Sequence, residues 1–170
     1  LRNTHTNDTL STRAHPVLLV ETADAAAVID DLCRIPGVSE IHIGLNDMRL
    51  SLGWPSHFHV LVSEFLERIC AAILTAGHRL GVGGLGRAGD NDLPVPADLV
   101  SAQIARLRAT AALVSRSFFR EPVPPDLDAE FRKLRACLGE CATKSPEWHT
   151  VQRGELRDCI GRLFGSPEVR

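Results

Sequence analysis

One pattern, repeated four times, limits what this chain can fold into: a short apolar run, a turn, and a helical stretch. The first run, Val17–Val20, is continuously apolar, which is typical of a strand buried on both faces of a parallel sheet. The predicted strands are 16–22, 40–44, 79–82 and 111–115. The first and third predicted helices span 23–34 and 97–109. The second is predicted from the apolar residues Phe58, Val62, Phe65, Ile69 and Ile73, which recur at helical spacing, and it ends at Gly77.

This alternation of strands and helices favours an α/β fold with a parallel sheet and right-handed crossovers. Two forms fit, a doubly wound sheet and a (β/α)8 barrel. Four units in about 105 residues correspond to half of a barrel, since a whole barrel takes about 250 residues. We therefore expect residues 15–120 to form the C-terminal half, strands five to eight, of a TIM barrel.

The two ends of the chain differ from the repeated units. Residues 1–14 are polar and aperiodic, and they are predicted to form a loose arm. Residues 121–170 begin with a proline-rich linker and are predicted to form a two-helix extension, with helices starting at Asp126 and at Ser145-Pro146. The residues expected to be buried are Leu127, Phe131, Leu134, Leu138 and Cys141 on the first helix, and Trp148, Val151, Ile160 and Leu163 on the second. Because the chain begins at Leu1 rather than at a methionine, we expect it to be processed, truncated or a fragment of a longer gene product.

Composition argues against several classes of partner. The formal net charge is −2, which gives no electrostatic basis for binding nucleic acid or an anionic membrane. No apolar run approaches the roughly 20 residues of a membrane span, and the chain does not open with a signal peptide. Five cysteines, an odd number at wide spacing, predict reduced thiols in a cytoplasmic protein. Cys137 and Cys141, one helical turn apart, could share a metal, but we interpret them as small packing residues.

Two carboxylates follow neighbouring predicted strands. Glu21 comes directly after Val17–Val20, and Asp47 comes shortly after the second strand. In a barrel the catalytic groups lie at the carboxyl ends of the strands, and adjacent strands are about 4.8 Å apart. The pair is therefore predicted to share one Mg²⁺ or Mn²⁺, which prefers one or two carboxylates with water and substrate oxygens. Taken singly, Glu21 can be a surface acid and Asp47 a helix or turn cap.

Two segments resemble the HpcH/HpaI aldolase and citrate lyase β-subunit family. The first is Val20-Glu21-Thr22 followed by Ile35-Pro36-Gly37-Val38, and the second is Ile43-Gly44-Leu45-Asn46-Asp47-Met48 with Leu52-Gly53 shortly after. The resemblance covers roughly residues 17–118. It implies that Glu21 and Asp47 are the metal ligands, that Gly44 and Asn46 lie against the substrate, and that the catalytic base comes from the first half of the barrel, outside this chain.

Two arginines at later strand ends are candidates for binding a substrate anion. Arg87 follows a glycine-rich segment, residues 81–86, which contains the spacing Gly-x-Gly-x-x-Gly of the dinucleotide fingerprint. That fingerprint requires a helix to begin at once, and here a loop with Gly89, Pro94 and Pro96 follows. We interpret the segment either as an anion-binding loop at the barrel mouth or as a tight turn. Arg116 follows the last strand and can bind a carboxylate bidentately or form a structural salt bridge.

The histidines are weaker candidates. His57 and His59 are two residues apart near a helix start, which is a poor spacing for sharing a metal on a helix. His42 alternates with isoleucines on a strand and is predicted to be a packed, hydrogen-bonded residue.

Three functional hypotheses follow. The first is a metal-dependent carbon–carbon lyase that acts on a small 2-oxo or 3-hydroxy acid, or on an acyl substrate, through a metal-stabilised pyruvate-type enolate, in a homo-oligomer. The second is a non-catalytic truncated barrel that serves as an assembly or regulatory module; it is favoured by Leu19, which stands where the family's aldolases often have glutamine. The third is a nucleotide-binding module that uses residues 81–86.

Overall fold

The computed structural model describes residues 15–90 and 92–165. It contains four strands, β1 (Val17–Val20), β2 (Glu40–Ile43), β3 (Arg79–Leu85) and β4 (Ala111–Val114). The helices are α1 (Ala23–Ala27), α2 (Ile29–Leu32), α3 (Leu45–Leu52), α4 (His57–Leu61), α5 (Glu64–Thr75), α6 (Ala97–Arg106), α7 (Leu127–Ala142) and α8 (Pro146–Phe164), and a 3-10 helix spans Arg116–Phe119. The predicted α/β class is confirmed.

The sheet has the simplest order that a parallel sheet can have. The strands lie in the order β1-β2-β3-β4, and all three pairings are parallel. A doubly wound sheet needs a point where the strand order reverses. Among the four described strands, each one pairs with the strand that follows it in the chain, so this part of the sheet has no such reversal.

The two faces of the sheet differ in burial. One face is covered by helices and carries the buried residues Val20, Ile41, Ile43, Leu80 and Val82. On the opposite face, Val17 and Leu19 are each 52% exposed and Leu113 is 55% exposed. The prediction that the first strand is buried on both faces is therefore wrong. The helices that pack on the sheet, α5 and α6, join the buried core of the first face.

Two predicted helices are broken in the structure. The helix expected over 23–34 is divided at Val28, which has the non-helical angles φ −109° and ψ 26°. The helix expected through Phe58 and Ile73 is divided into α4 and α5 at Ser63. The Ser63 hydroxyl accepts from the Leu66 amide at 3.1 Å and so caps a new helix. Residues Leu45–Leu52, which follow β2, form α3, a helix that the sequence pattern did not predict.

Both tail helices are present, and they pack on α6. On α8 the buried residues are Leu156, Cys159 and Ile160, whereas Val151 is 56% exposed and Leu163 is 45% exposed. The predicted burial of those last two residues is wrong. Val151 lies five residues before Leu156, which turns its side chain about 140° around the helix, and Leu163 lies in the last turn of α8. In the described part of the chain, no helix combines the length and apolar character that crossing a membrane requires.

An ion-pair cluster ties α8 to the rest of the fold. Glu67 on α5 accepts from Arg106 of α6 at 2.7 Å and also pairs with Arg153 of α8. The side chains of both arginines are about one-fifth exposed. Arg153 and Arg157 also donate to the Val62 carbonyl, at 2.9 and 3.1 Å. One carboxylate and one carbonyl therefore hold the second tail helix against α5 and α6.

Candidate functional site

The candidate metal-binding carboxylates lie where β1 and β2 end side by side. The Gly44 amide donates to the Val20 carbonyl at 3.0 Å, which continues the β1–β2 pairing to the last residue before α3. Glu21 follows Val20 directly and is half-buried. A Cβ placed on Gly44 would lie 2.3 Å from Glu21 Oε1. The carboxylate of Glu21 therefore lies over the Gly44 backbone, in the space that a side chain at position 44 would fill.

Asp47 lies in the first turn of α3 and is exposed. On the same helix, Ser51 accepts a hydrogen bond from the Ala23 amide at 3.0 Å, only two residues beyond Glu21. Residues four apart share one face of a helix, so Asp47 lies on the face of α3 that is turned toward the end of β1. The structure thus places Glu21 and Asp47 on the same edge of the sheet.

The donors at this edge fit a hard divalent cation. Mg²⁺ and Mn²⁺ take one or two carboxylates and complete their shell with water and substrate oxygens. Within residues 15–90 and 92–165, the side chains of His, Cys, Asp and Glu form no potential metal-binding group of three or more. The predicted site needs only two carboxylates, and a glycine under one of them leaves that carboxylate room at the strand end. Asp47 also has a structural role, since a negative charge in the first turn is stabilised by the helix dipole.

The two predicted substrate contacts beside this pair have contrasting surroundings. Asn46 is exposed, and its Oδ1 accepts from Arg49 Nε at 3.4 Å. Gly44 was expected to let a substrate carboxylate approach the backbone, but the Glu21 carboxylate lies there instead. Both substrate-binding roles stay predictions.

The glycine-rich segment belongs mostly to a strand. β3 continues through Leu85, beyond the predicted end at Val82. The next helix, α6, begins only at Ala97. A dinucleotide fingerprint places the amino end of a helix directly after its glycines, and this segment does not have that geometry.

Arg87 is held by main-chain carbonyls. Its Nε donates to Phe118 at 2.9 Å and one terminal nitrogen donates to Pro122 at 3.1 Å, while the other donates to the Arg120 carbonyl. Three of its five N–H groups are therefore engaged in fixing the segment after the 3-10 helix. An anion-binding role for Arg87 stays a prediction, and its observed contacts are structural.

A second arginine, which the sequence analysis did not single out, fixes the loop after β3. Arg120 donates to both carboxylate oxygens of Asp90, at 2.6 and 3.1 Å. This hydrogen bonding lowers the pKa of the Asp90 carboxyl below its ordinary value, although burial opposes the shift. Arg87 and Arg120 together join the loop after β3 to the segment after β4. The two residues are 33 positions apart, and short-range sequence patterns cannot detect such a pair.

A cavity of about 320 Å³ opens at the carboxyl ends of β3 and β4. Its walls are mostly apolar and include Phe58, Leu93, Val95, Val100 and Phe164. Arg116 is exposed and lines the same cavity, beside Ser115 and Ser117, whose hydroxyls are 2.5 Å apart. The predicted candidate Arg116 thus lies at a pocket, at the same end of the strands as the two carboxylates.

The histidines differ in their surroundings. His42 is 9% exposed, its Nε2 donates to the Glu40 carboxylate at 2.5 Å, and its ring packs against Gly81, which confirms the predicted packed, hydrogen-bonded residue. His59 is buried between the Ser56 hydroxyl at 3.0 Å and the Gly165 carbonyl at 2.9 Å. His57 lines the cavity with Arg116; burial, and then the nearby charge of Arg49, lower the pKa of its imidazole.

Comparison of the chain with protein-family models, with curated proteins and with solved structures gives no significant match.

Proposed function

We propose that this chain is a metal-dependent carbon–carbon lyase of the aldolase and citrate-lyase type, with Glu21 and Asp47 as ligands of Mg²⁺ or Mn²⁺. The observation that carries the proposal is the juxtaposition at the ends of β1 and β2. There the Glu21 carboxylate lies over Gly44, and Asp47 projects from the face of α3 that reaches the end of β1. The substrate would be a small 2-oxo or 3-hydroxy acid.

The finer fold proposal is half of a (β/α)8 barrel. A barrel requires parallel strands in sequential order with helices on the outer face only. The order β1-β2-β3-β4 and the helix-covered face of Val20 and Ile43 support it. The exposed face of Leu19 and Leu113 would then correspond to the barrel interior. The carboxylates lie at the strand ends where barrels carry their active sites.

The chain's own residues would bind the cation and orient the substrate. Glu21 and Asp47 would hold the cation, and the Gly44 backbone, which has no side chain, leaves the Glu21 carboxylate in place. Asn46, which neighbours Asp47 and is exposed, would donate its amide to a substrate oxygen. When bound, the cation supplies the Lewis acidity that stabilises the negative charge of a pyruvate-type enolate.

Manganese binding tests the proposal. We expect Mn²⁺ titration followed by EPR to show one saturable site in the chain, strengthened by pyruvate, and lost in both Glu21→Gln and Asp47→Asn. Asp24→Asn is the matched control, because Asp24 is an exposed acid in the first turn of α1, close to Glu21 in sequence. Equal Mn²⁺ affinity in the wild type and in Glu21→Gln would refute the proposed site.

A second candidate is a non-catalytic assembly module. Parallel sheets are generally covered on both faces, and here Val17, Leu19 and Leu113 are about half exposed. This candidate predicts a stable oligomer without turnover of oxaloacetate. Light scattering together with a decarboxylation assay in Mn²⁺ separates the two: turnover that Glu21→Gln abolishes excludes a purely structural role.

A further inference from the structure

The cavity at the ends of β3 and β4 has the composition of a ligand site. Its volume of about 320 Å³ lies at the lower end of the range for small-molecule pockets, which are typically apolar with a few placed polar groups. Val95 and Val100, each 3% exposed, form the inner wall. Phe58 and Phe164 stack with their ring centroids 6.1 Å apart and form the outer wall.

Arg116 brings a positive charge to this mostly apolar surface, whose other polar lining residues are His57, Ser115 and Ser117. The guanidinium groups of Arg87 and Arg120 are held by main-chain carbonyls and by Asp90, respectively. Arg116 differs from them, because it is exposed and is one of the residues that line the cavity. The amino end of α6 forms another part of the wall at Ala97, and its cap residue, Pro96, has no polar side chain. Both features favour a negative charge at the cavity.

The tail of the chain completes this pocket. Phe164 is the last residue of α8, and the carbonyl of the next residue, Gly165, contacts His59 Nε2 at 2.9 Å. Phe164 also contacts the His59 ring edge-on, with the centroids 6.3 Å apart. The end of α8 is thereby fixed against α4, so that the wall at Phe164 is in place without a ligand.

We propose that this pocket binds a carboxylate with an apolar chain of several carbons, with the chain against Phe58 and Phe164 and the carboxylate at Arg116. The proposal rests on the proposed lyase function in one respect: the carboxylate would be the part of the substrate that does not react at Glu21 and Asp47. A compact 2-oxo acid alone would leave the apolar walls unused. The inferred substrates therefore carry an apolar extension.

Methyl NMR tests this directly. In the chain labelled at Leu and Val methyl groups, we expect hexanoate to shift the methyl signals of Leu93, Val95 and Val100 and to leave that of Leu156 unchanged. Hexanoate should also bind more tightly than acetate, since each buried methylene tightens binding about fourfold. Arg116→Gln should weaken hexanoate binding about three- to tenfold and leave 1-hexanol unaffected. Phe164→Ala should weaken the binding of both hexanoate and 1-hexanol. Arg68→Gln, a change at another exposed arginine, is the control and should alter neither.

Three results would overturn the proposal: a dissociation constant for hexanoate above about 10 mM, equal affinity for acetate and hexanoate, or an unchanged hexanoate affinity in Arg116→Gln. Glu21→Gln separates this proposal from the lyase proposal. Hexanoate binding without any Mn²⁺ site would mean that the lyase function fails and the pocket remains. A Mn²⁺ site that depends on Glu21, without hexanoate binding, would mean the reverse.

Discussion

The carboxylate of Glu21 and the backbone of Gly44 occupy adjoining strand ends so closely that position 44 has no room for a methyl group. A Cβ there would come within 2.3 Å of Oε1 and 2.6 Å of Cγ of Glu21. Since real Cβ atoms do not approach other atoms this closely, any other residue at position 44 must displace the carboxylate. The residue at 44 therefore determines where the charge of residue 21 lies.

Gly44→Ala should reduce Mn²⁺ binding without unfolding the chain. Gly44 has φ −86° and ψ 94°, an extended conformation that alanine adopts, and the clashing group is a flexible side chain. We expect the free energy of unfolding to change by less than about 1 kcal/mol and the Mn²⁺ affinity to fall by about tenfold or more. Urea unfolding and Mn²⁺ EPR on the same sample measure both. An unchanged affinity would mean that the position of Glu21 does not matter for the metal.

Gly81→Ala should destabilise the fold. A Cβ on Gly81 would lie 2.3 Å from three atoms of the His42 ring, which is buried and hydrogen-bonded to Glu40. Overpacking of this kind costs about 1–3 kcal/mol. Gly139→Ala is the control. Position 139 lies within α7, and a Cβ added there would have nothing within 4 Å, so the free energy of unfolding should rise by about 0.5–1 kcal/mol. Urea unfolding of the two variants should therefore move in opposite directions from the wild type.

Glu67→Gln should loosen α8. The change leaves Arg106 and Arg153, both largely buried, next to each other without their shared carboxylate. Removal of one partner from a buried ion pair costs about 3–5 kcal/mol, and the partial exposure of this cluster places the expected loss near 2–3 kcal/mol. Asp31→Asn, at an exposed pair with Arg34, should cost about 0.5 kcal/mol or less. Equal melting temperatures for the two variants would contradict this assignment; proteolysis should cut α8 first in Glu67→Gln.

His57 should titrate below its ordinary pKa of 6.5. Burial is the main cause and the charge of Arg49 is the second, so Arg49→Gln should raise the pKa of His57, whereas Arg34→Gln should not. Because the folded state binds its proton less readily than the unfolded state, this group's contribution to stability is full above pH 6.5 and is lost as the pH falls toward the folded pKa. NMR titration of the His57 ring protons measures the shift, and a pKa above 6.5 would contradict the described environment.

The cysteines should differ in reactivity. Burial raises the pKa of the Cys70 thiol to about 12, and burial together with Cys137 raises that of Cys141 to about 11. Since the thiolate is the reactive form, both should alkylate slowly at pH 8. Cys33, which is only partly buried and whose pKa is raised less, should react first. Iodoacetamide labelling followed by mass spectrometry gives the order, and early modification of Cys70 would show that the α5 core opens.

Local sequence patterns predicted the strands well because each strand is a short apolar run between turn residues. They predicted the helix interruptions poorly, since the break at Ser63 depends on one hydroxyl that competes for backbone groups. The exposed face of β1 was also missed: apolar residues such as Leu19 do not indicate which face the helices leave uncovered.

At the candidate site, the placement of Glu21 and Asp47 at one edge of the sheet was predictable, because the ends of parallel strands meet at one edge. The pocket was not predictable as a whole. Arg116 was identified from its position after β4, but its partners Phe58 and Phe164 come from α4 and from the end of α8, more than 100 residues apart. Likewise, no local pattern distinguishes Arg116 from Arg87, whose guanidinium is held by three carbonyls.

The sequential strand order also bears on how the chain acquires its structure. Pairing joins residues 17 and 40, then 40 and 79, then 81 and 111, so none of these contacts spans more than 39 positions. Because the entropic cost of closing a loop grows with its length, short separations favour rapid folding. Each strand–helix unit can be added to the edge left by the preceding one, so the sheet can assemble progressively as the polypeptide emerges from the ribosome.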